Sequence, residues 1–111
     1  MEGTKALGFI RRCLRRGRVL WVHHAHMRVA QRGLRRAEIL ESVDTYEVLE
    51  LRPAAPGSRY LPAALIRAEI RGEVVHVVFA LDEEGDNVRV VTAYRPDPGL
   101  WDRGFRRRKS R

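Results

Sequence analysis

Residues 74–94 run Val74-Val75-His76-Val77-Val78-Phe79-Ala80-Leu81, then Asp82-Glu83-Glu84-Gly85-Asp86-Asn87, then Val88-Arg89-Val90-Val91-Thr92-Ala93-Tyr94. Two runs of β-branched and aromatic residues flank a short acidic loop containing glycine, the pattern of a β-hairpin. The first run is almost unbroken in apolar side chains, which predicts a central strand. On that strand His76 shares a face with Val74, Val78 and Ala80, because successive side chains alternate. Thr92 and Tyr94 share a face of the returning strand, with Arg95 on the other.

Outward from the hairpin, Arg71-Gly72 turns the chain, and Tyr60–Ile70 is extended with Pro62 placing its start at an edge or bulge. Tyr46–Leu51 alternates and stops before Pro53, and residues 52–58 (RPAAPGS) are a turn by composition. Pro96-Asp97-Pro98-Gly99 ends the regular structure. The N-terminal third has a helical period instead. Ala6, Leu7, Ile10, Cys13 and Leu14 form one stripe over Thr4–Arg16, with Arg11, Arg12, Arg15 and Arg16 largely off it. Gly17 ends that helix, Arg18–Val22 is a short extended link, His23–Arg32 is a second helix ended by Gly33, and Arg35–Val43 is a third. Helices first and strands afterwards predict an α+β fold, N-terminal helices packing on one face of an antiparallel sheet of about four strands. The expected organisation is one domain over 1–102 and a mobile basic tail over 103–111.

A chain of 111 residues has room for one core, and 44% hydrophobic with 32% charged residues is globular rather than disordered composition. The single cysteine, Cys13, excludes an internal disulfide framework and a cysteine-based zinc site, so a reducing cytoplasmic setting is expected. No apolar run approaches the roughly 18 residues of a membrane span, and the continuous apolar segment of a secretory signal is missing. Residues 4–16 also fit the composition of an organellar transit peptide, a reading that leaves unexplained why the acid-free stretch continues well beyond them.

The net charge is +8, and its signs are segregated. Gly3–Ala37 holds ten basic residues and no acid, Glu38–Asp102 holds thirteen acids against six bases, and Arg103–Arg111 adds six bases. Solubility alone does not require such segregation, whereas a phosphate backbone is attracted to concentrated positive charge by Coulomb forces and counterion release. A polyanion is therefore the expected partner, with RNA the first candidate, on a surface where Arg11, Arg12, Arg15 and Arg16 converge with Arg106, Arg107 and Arg108.

The most informative constellation is His24, Arg28 and Arg32, spaced i, i+4, i+8. On a helix each step of four advances only about 40°, so the three form one polar row beside the Val22/Ala25/Val29 stripe. Two planar guanidinium forks suit a phosphate, and a histidine titrates where acid–base catalysis needs it. The same spacing occurs in any amphipathic helix, where the arginines would pair with the acidic half. His76 is a candidate second proton carrier or an ordinary buried side chain. Tyr94 either stacks a base or closes the core, and Arg95 offers a phosphate contact. His23, His24 and His26 lack an evident third ligand direction, so no metal or other cofactor is expected.

His24-Ala25, Arg28 and Arg32-Gly33-Leu34, together with Val90-Val91-Thr92-Ala93-Tyr94-Arg95-Pro96-Asp97 and the later Trp101, resemble the opening and closing blocks of the bacterial domain-of-unknown-function family four-two-five-eight. The middle strand around Val75-His76-Val77-Val78 is similar as well, and the likeness extends over residues 18–109; the His26-Met27 pair departs from the family's usual order. The resemblance implies a fold similar to RelE/barnase-like toxin ribonucleases, helices followed by a curved antiparallel sheet, and a cognate antitoxin encoded alongside. Together with the charge pattern it gives a first expectation, a metal-independent endoribonuclease with His24, Arg28, Arg32 and His76 as catalytic residues. A non-catalytic nucleic-acid-binding module is the second expectation, and a binder of an acidic protein the third.

Overall fold

The computed structural model describes residues 1–110. The chain runs α1 (Gly3–Arg15), β1 (Val19–Trp21), α2 (His23–Gln31), α3 (Arg36–Glu41), a 3-10 turn (Ser42–Thr45), β2 (Glu47–Arg52), β3 (Ala63–Ile70), β4 (Glu73–Asp82) and β5 (Asn87–Tyr94). The strands form one sheet in the order β1-β5-β4-β3-β2, with β4 in the middle as its apolar run predicts. Arg71 and Gly72 both take positive φ (53° and 78°), the conformation of a two-residue hairpin turn.

Three helices on a largely antiparallel sheet make this an α+β protein, with two corrections to the expected sheet. Residues 18–22 are not merely a link: Val19, Leu20 and Trp21 pair in parallel with Val88, Arg89 and Val90. The sheet accordingly has five strands and is mixed. A three-residue strand is too short to carry an alternation signal, and its partner lies far along the chain.

Alternation divides the sheet into two faces. Val75, Val77, Phe79 and Leu81 of β4 join Ile66 of β3 and Val88 and Val90 of β5 in the core beneath the helices. Ala6, Phe9, Ile10 and Cys13 of α1, Ala25 and Val29 of α2, and Ile39 of α3 close it from above. Each fully buried aliphatic or aromatic side chain contributes roughly 1.5–3 kcal/mol, so this layer dominates the surface ion pairs. Helix α1 starts on the Glu2 carboxylate, which accepts from the Thr4 and Lys5 amides at 3.0 and 2.8 Å. The Tyr46 hydroxyl donates to the Ile39 carbonyl at 2.7 Å and ties α3 to the start of β2.

The second face carries His76, Arg67 and Leu65, all buried, and is partly covered by the chain's own C-terminal end. Trp101 and Arg108 form an antiparallel bridge, and the Lys109 amide donates to the Leu100 carbonyl at 2.9 Å. The segment expected to be a mobile basic tail thus folds back over the sheet; Arg111 lies outside the described residues. The cause is visible beneath it. The Arg67 guanidinium donates to the Gly104 carbonyl and His76 Nε2 donates to the Phe105 carbonyl, each at 2.9 Å. Two buried polar side chains would otherwise lack these partners.

Candidate nucleic-acid interface

Helix α2 buries Ala25 and Val29 and turns the rest of its surface outward, as its short apolar stripe dictates. His23, His24, His26 and Arg28 are exposed. Arg28 makes no ion pair among the described residues. The imidazole centroids of His23 and His24 lie 5.9 Å apart, edge to face. Arg35 and Arg36 follow in the next turn, also exposed, with the Arg36 guanidinium 5.6 Å from the centre of the Trp21 ring.

Arg32, the third member of the row, behaves differently. It is half-buried, and Nη1 donates to the Ala93 carbonyl at 2.7 Å and to Thr92 Oγ1 at 3.3 Å. Strand β1 reaches only as far as Val90, so Arg32 supplies a partner to β5 where the parallel pairing has ended. Arg95 reinforces the junction, giving one bond to the Arg32 carbonyl at 2.6 Å and one to Glu73 Oε2 at 2.7 Å. The row is real in geometry, but its exposed part is His24 and Arg28, while Arg32 and Arg95 lock the helix to the sheet.

His76 does not join this group. It is fully enclosed, on the face of β4 opposite the helices, with the Trp101 ring 4.6 Å and the Tyr94 ring 5.8 Å from its centroid. Burial pushes its pKa below the ordinary histidine value, so it is neutral near pH 7 with the proton on Nε2, toward Phe105. Nδ1 is buried without a partner among the described residues. In this arrangement no substrate reaches the ring.

The two basic ends do not converge. Helix α1 belongs to the core face, where Arg12 stacks over Phe9 at 5.2 Å and comes within 3.8 Å of Asp86. Arg11 and Arg15 border a hollow shared with Val43 and Asp44, and Arg16 is exposed at the helix end. Arg106 and Arg108 lie on the second face and are paired. Arg106 holds Glu47 through two bonds of 3.1 and 2.9 Å, and Arg108 holds Glu50 through two of 2.9 and 3.2 Å. The Arg106 hydrogen bonds depress the Glu47 pKa, and both arginines are raised by their carboxylates. Only Arg107 of the three is exposed without an acidic partner among the described residues.

Tyr94 is half-buried on the second face, and burial raises the pKa of its hydroxyl. It lines a cavity of about 230 Å³ with Glu50, Arg52, Leu65, Val78 and Arg108. Sequence reasoning missed Glu50 and Arg52 here, as well as the buried Arg67. A basic residue in the middle of an apolar strand, Arg67, was the available signal. Among the described residues no group of three or more His, Cys, Asp or Glu side chains is arranged to hold a metal ion. No helix is long and apolar enough to cross a membrane.

A family model described as Domain of unknown function (DUF4258) matches residues 21–95, from the end of β1 to just past β5. No curated protein and no solved structure matches the chain.

Proposed function

The chain belongs to the DUF4258 family, and from that premise we propose that it is an RNA-binding protein acting as a metal-independent endoribonuclease of the toxin type, with α2 facing the substrate. One observation carries the proposal: His24 and Arg28 stand exposed and, among the described residues, without acidic partners, on a helix inside a stretch that has no acid from Gly3 to Ala37. RNA brings its own nucleophile. A base takes the proton of the 2′-hydroxyl, the oxygen attacks the adjacent phosphorus, and the 5′-oxygen leaves with a proton from an acid, giving a 2′,3′-cyclic phosphate. His24 is the exposed group for the first transfer, and Arg28 faces the charge that builds on the phosphate oxygens. The enclosed His76 is not positioned for the second transfer, and His23 is the imidazole adjacent to His24. The partner that would restrain such an activity is a cognate antitoxin encoded alongside.

The enclosure of His76 also favours a second reading, a nucleic-acid-binding module that uses the same helix without turnover. One experiment separates them: incubate the purified chain with a labelled single-stranded RNA in EDTA and resolve the products. Cyclic-phosphate ends that vanish in His24→Ala and Arg28→Ala support the nuclease. Salt-sensitive binding with intact RNA leaves the binding module. Cleavage abolished by EDTA removes the metal-independent mechanism.

A further inference from the structure

The geometry points to the cavity on the second face as a pocket for one nucleobase and its phosphate, reached across the sheet from α2. It deepens the RNA-binding reading and depends on that reading for the polymer, although mononucleotides test the pocket itself.

The polar groups at the cavity divide into engaged and free. Glu50 and Arg108 neutralise each other through their two-pronged pair. The Arg52 guanidinium is exposed and, like the Tyr94 hydroxyl, has no partner among the described residues. One uncompensated positive charge therefore stands beside a wall made by Leu65, Val78 and the aliphatic part of the rim. A flat ring that lays its π-face on apolar side chains and carries an anionic group matches that combination, and a nucleobase with its phosphate is such a molecule. A volume of about 230 Å³ is below the usual range for whole small-molecule ligands, and suits a single base with its sugar outside.

The wall is held in place. Tyr94 rests against His76, His76 against Trp101, and the Arg108 guanidinium lies 4.7 Å from the centre of the Trp101 ring. Side chains fixed in this way lose little freedom when a ligand arrives.

Position ties the pocket to α2. Arg32 reaches Thr92, and Thr92 sits directly across from Val78, a wall of the cavity. Helix α2 covers the other face of the sheet, and Arg32 meets Thr92 where β1 has ended and β5 is the edge; neighbouring strands are about 4.8 Å apart, so the pocket begins roughly one strand in from that edge. A nucleic-acid backbone that runs along His24 and Arg28 and passes around this edge of β5 would bring an unstacked base over Thr92 to the pocket.

The test has two arms. Ligand-observed NMR with adenosine, uridine and their 5′-monophosphates is compared with ribose 5-phosphate, for the wild type, Arg52→Gln and Val78→Phe. In parallel, a single-stranded RNA decamer is titrated against the same proteins and against Arg28→Ala. Base protons of the monophosphates should receive saturation from the protein, with ribose 5-phosphate binding at least tenfold more weakly. Val78→Phe fills the cavity and should abolish mononucleotide binding and weaken the decamer roughly 5- to 150-fold, the range for loss of one stacked base. Arg52→Gln, at an exposed position that leaves the fold intact, should weaken the monophosphates several-fold but not the parent nucleosides. Decamer binding that responds to Arg28→Ala but not to the two pocket variants, with no mononucleotide signal, overturns the pocket and leaves the RNA reading standing. Mononucleotide binding that responds to both variants, with no affinity for the decamer, overturns the RNA reading and leaves a site for free nucleotides. Silence in both arms overturns both.

Discussion

Arg67 and His76 face each other across β3 and β4, and both are held by backbone carbonyls of one returning segment, those of Gly104 and Phe105. Two polar side chains at directly opposed positions of a sheet are thereby buried beneath a stretch of chain whose composition reads as solvent-exposed. The same Arg67 guanidinium pairs with Glu47 at 3.1 Å and Glu69 at 2.9 Å. Glu47 in turn holds Arg106, so β2, β3 and the C-terminal segment are linked by one charged network.

Arg67→Met should destabilise the fold by roughly 3 kcal/mol, the lower end of the cost of breaking a buried ion pair. The lower end applies because Glu47 and Glu69 are half-exposed and rehydrate once the guanidinium is gone. Urea unfolding measures the loss. Near-ultraviolet circular dichroism should weaken as well, as Trp101 loosens with its segment. A variant as stable as the wild type would show that the returning segment does not depend on Arg67.

His76 should make stability depend on pH in a defined direction. Burial lowers its pKa in the folded state, so between that value and the unfolded value near 6.5 the unfolded chain binds more protons. Stability therefore rises with pH in this window: the contribution is fully present above about pH 6.5 to 7 and declines as the solution is acidified toward the folded pKa. The urea midpoint should fall between pH 7 and pH 5, and the slope should flatten in His76→Gln. The depressed carboxylates Glu47 and Asp102 act lower, as pH falls below about 4.5, so the two effects separate on the pH axis. A midpoint unchanged from pH 7 to 5 would mean the imidazole is hydrated.

The hairpin of β4 and β5 was legible because alternation, β-branched content and an acidic glycine-containing loop agree with one another. Strand β1 was not, since three residues cannot display a period and a parallel partner leaves no turn signature between them. Phe9 escaped the predicted stripe of α1 although it is buried. The returning segment was hidden for another reason: its anchors are main-chain carbonyls, which every residue carries, and its arginines look free until Glu47 and Glu50 are brought opposite them. The row on α2 was visible as spacing, but spacing could not show that Arg32 meets the unpaired end of β5. Tyr94 was singled out from the sequence, whereas the cavity beside it needs β2, β3 and the C-terminal segment to assemble.

Cys13 should be unreactive in the native protein. It is 1% exposed in the core, and burial raises the pKa of its thiol, so the thiolate that reacts is scarce. Labelling by a disulfide reagent should be slow in buffer, and its rate should rise with urea in step with the unfolding transition. Rapid labelling without denaturant would place α1 away from the sheet.

Arg28→Ala and Arg32→Ala should separate two roles that share one helical row. Removing Arg32 deprives the Ala93 carbonyl of a charged donor and Thr92 of a second contact, at a cost of about 1.5–3 kcal/mol. Removing the exposed Arg28 should change stability by less than about 0.5 kcal/mol. In RNA binding the order reverses in kind: Arg28→Ala should lower affinity for every sequence alike and reduce the slope of log K against log salt by about one, because one phosphate contact is gone. Arg32→Ala, measured where it is still folded, should leave that slope less affected. Equal salt slopes for Arg28→Ala and the wild type would move the phosphate contact off α2, since no guanidinium on that helix is more exposed to solvent.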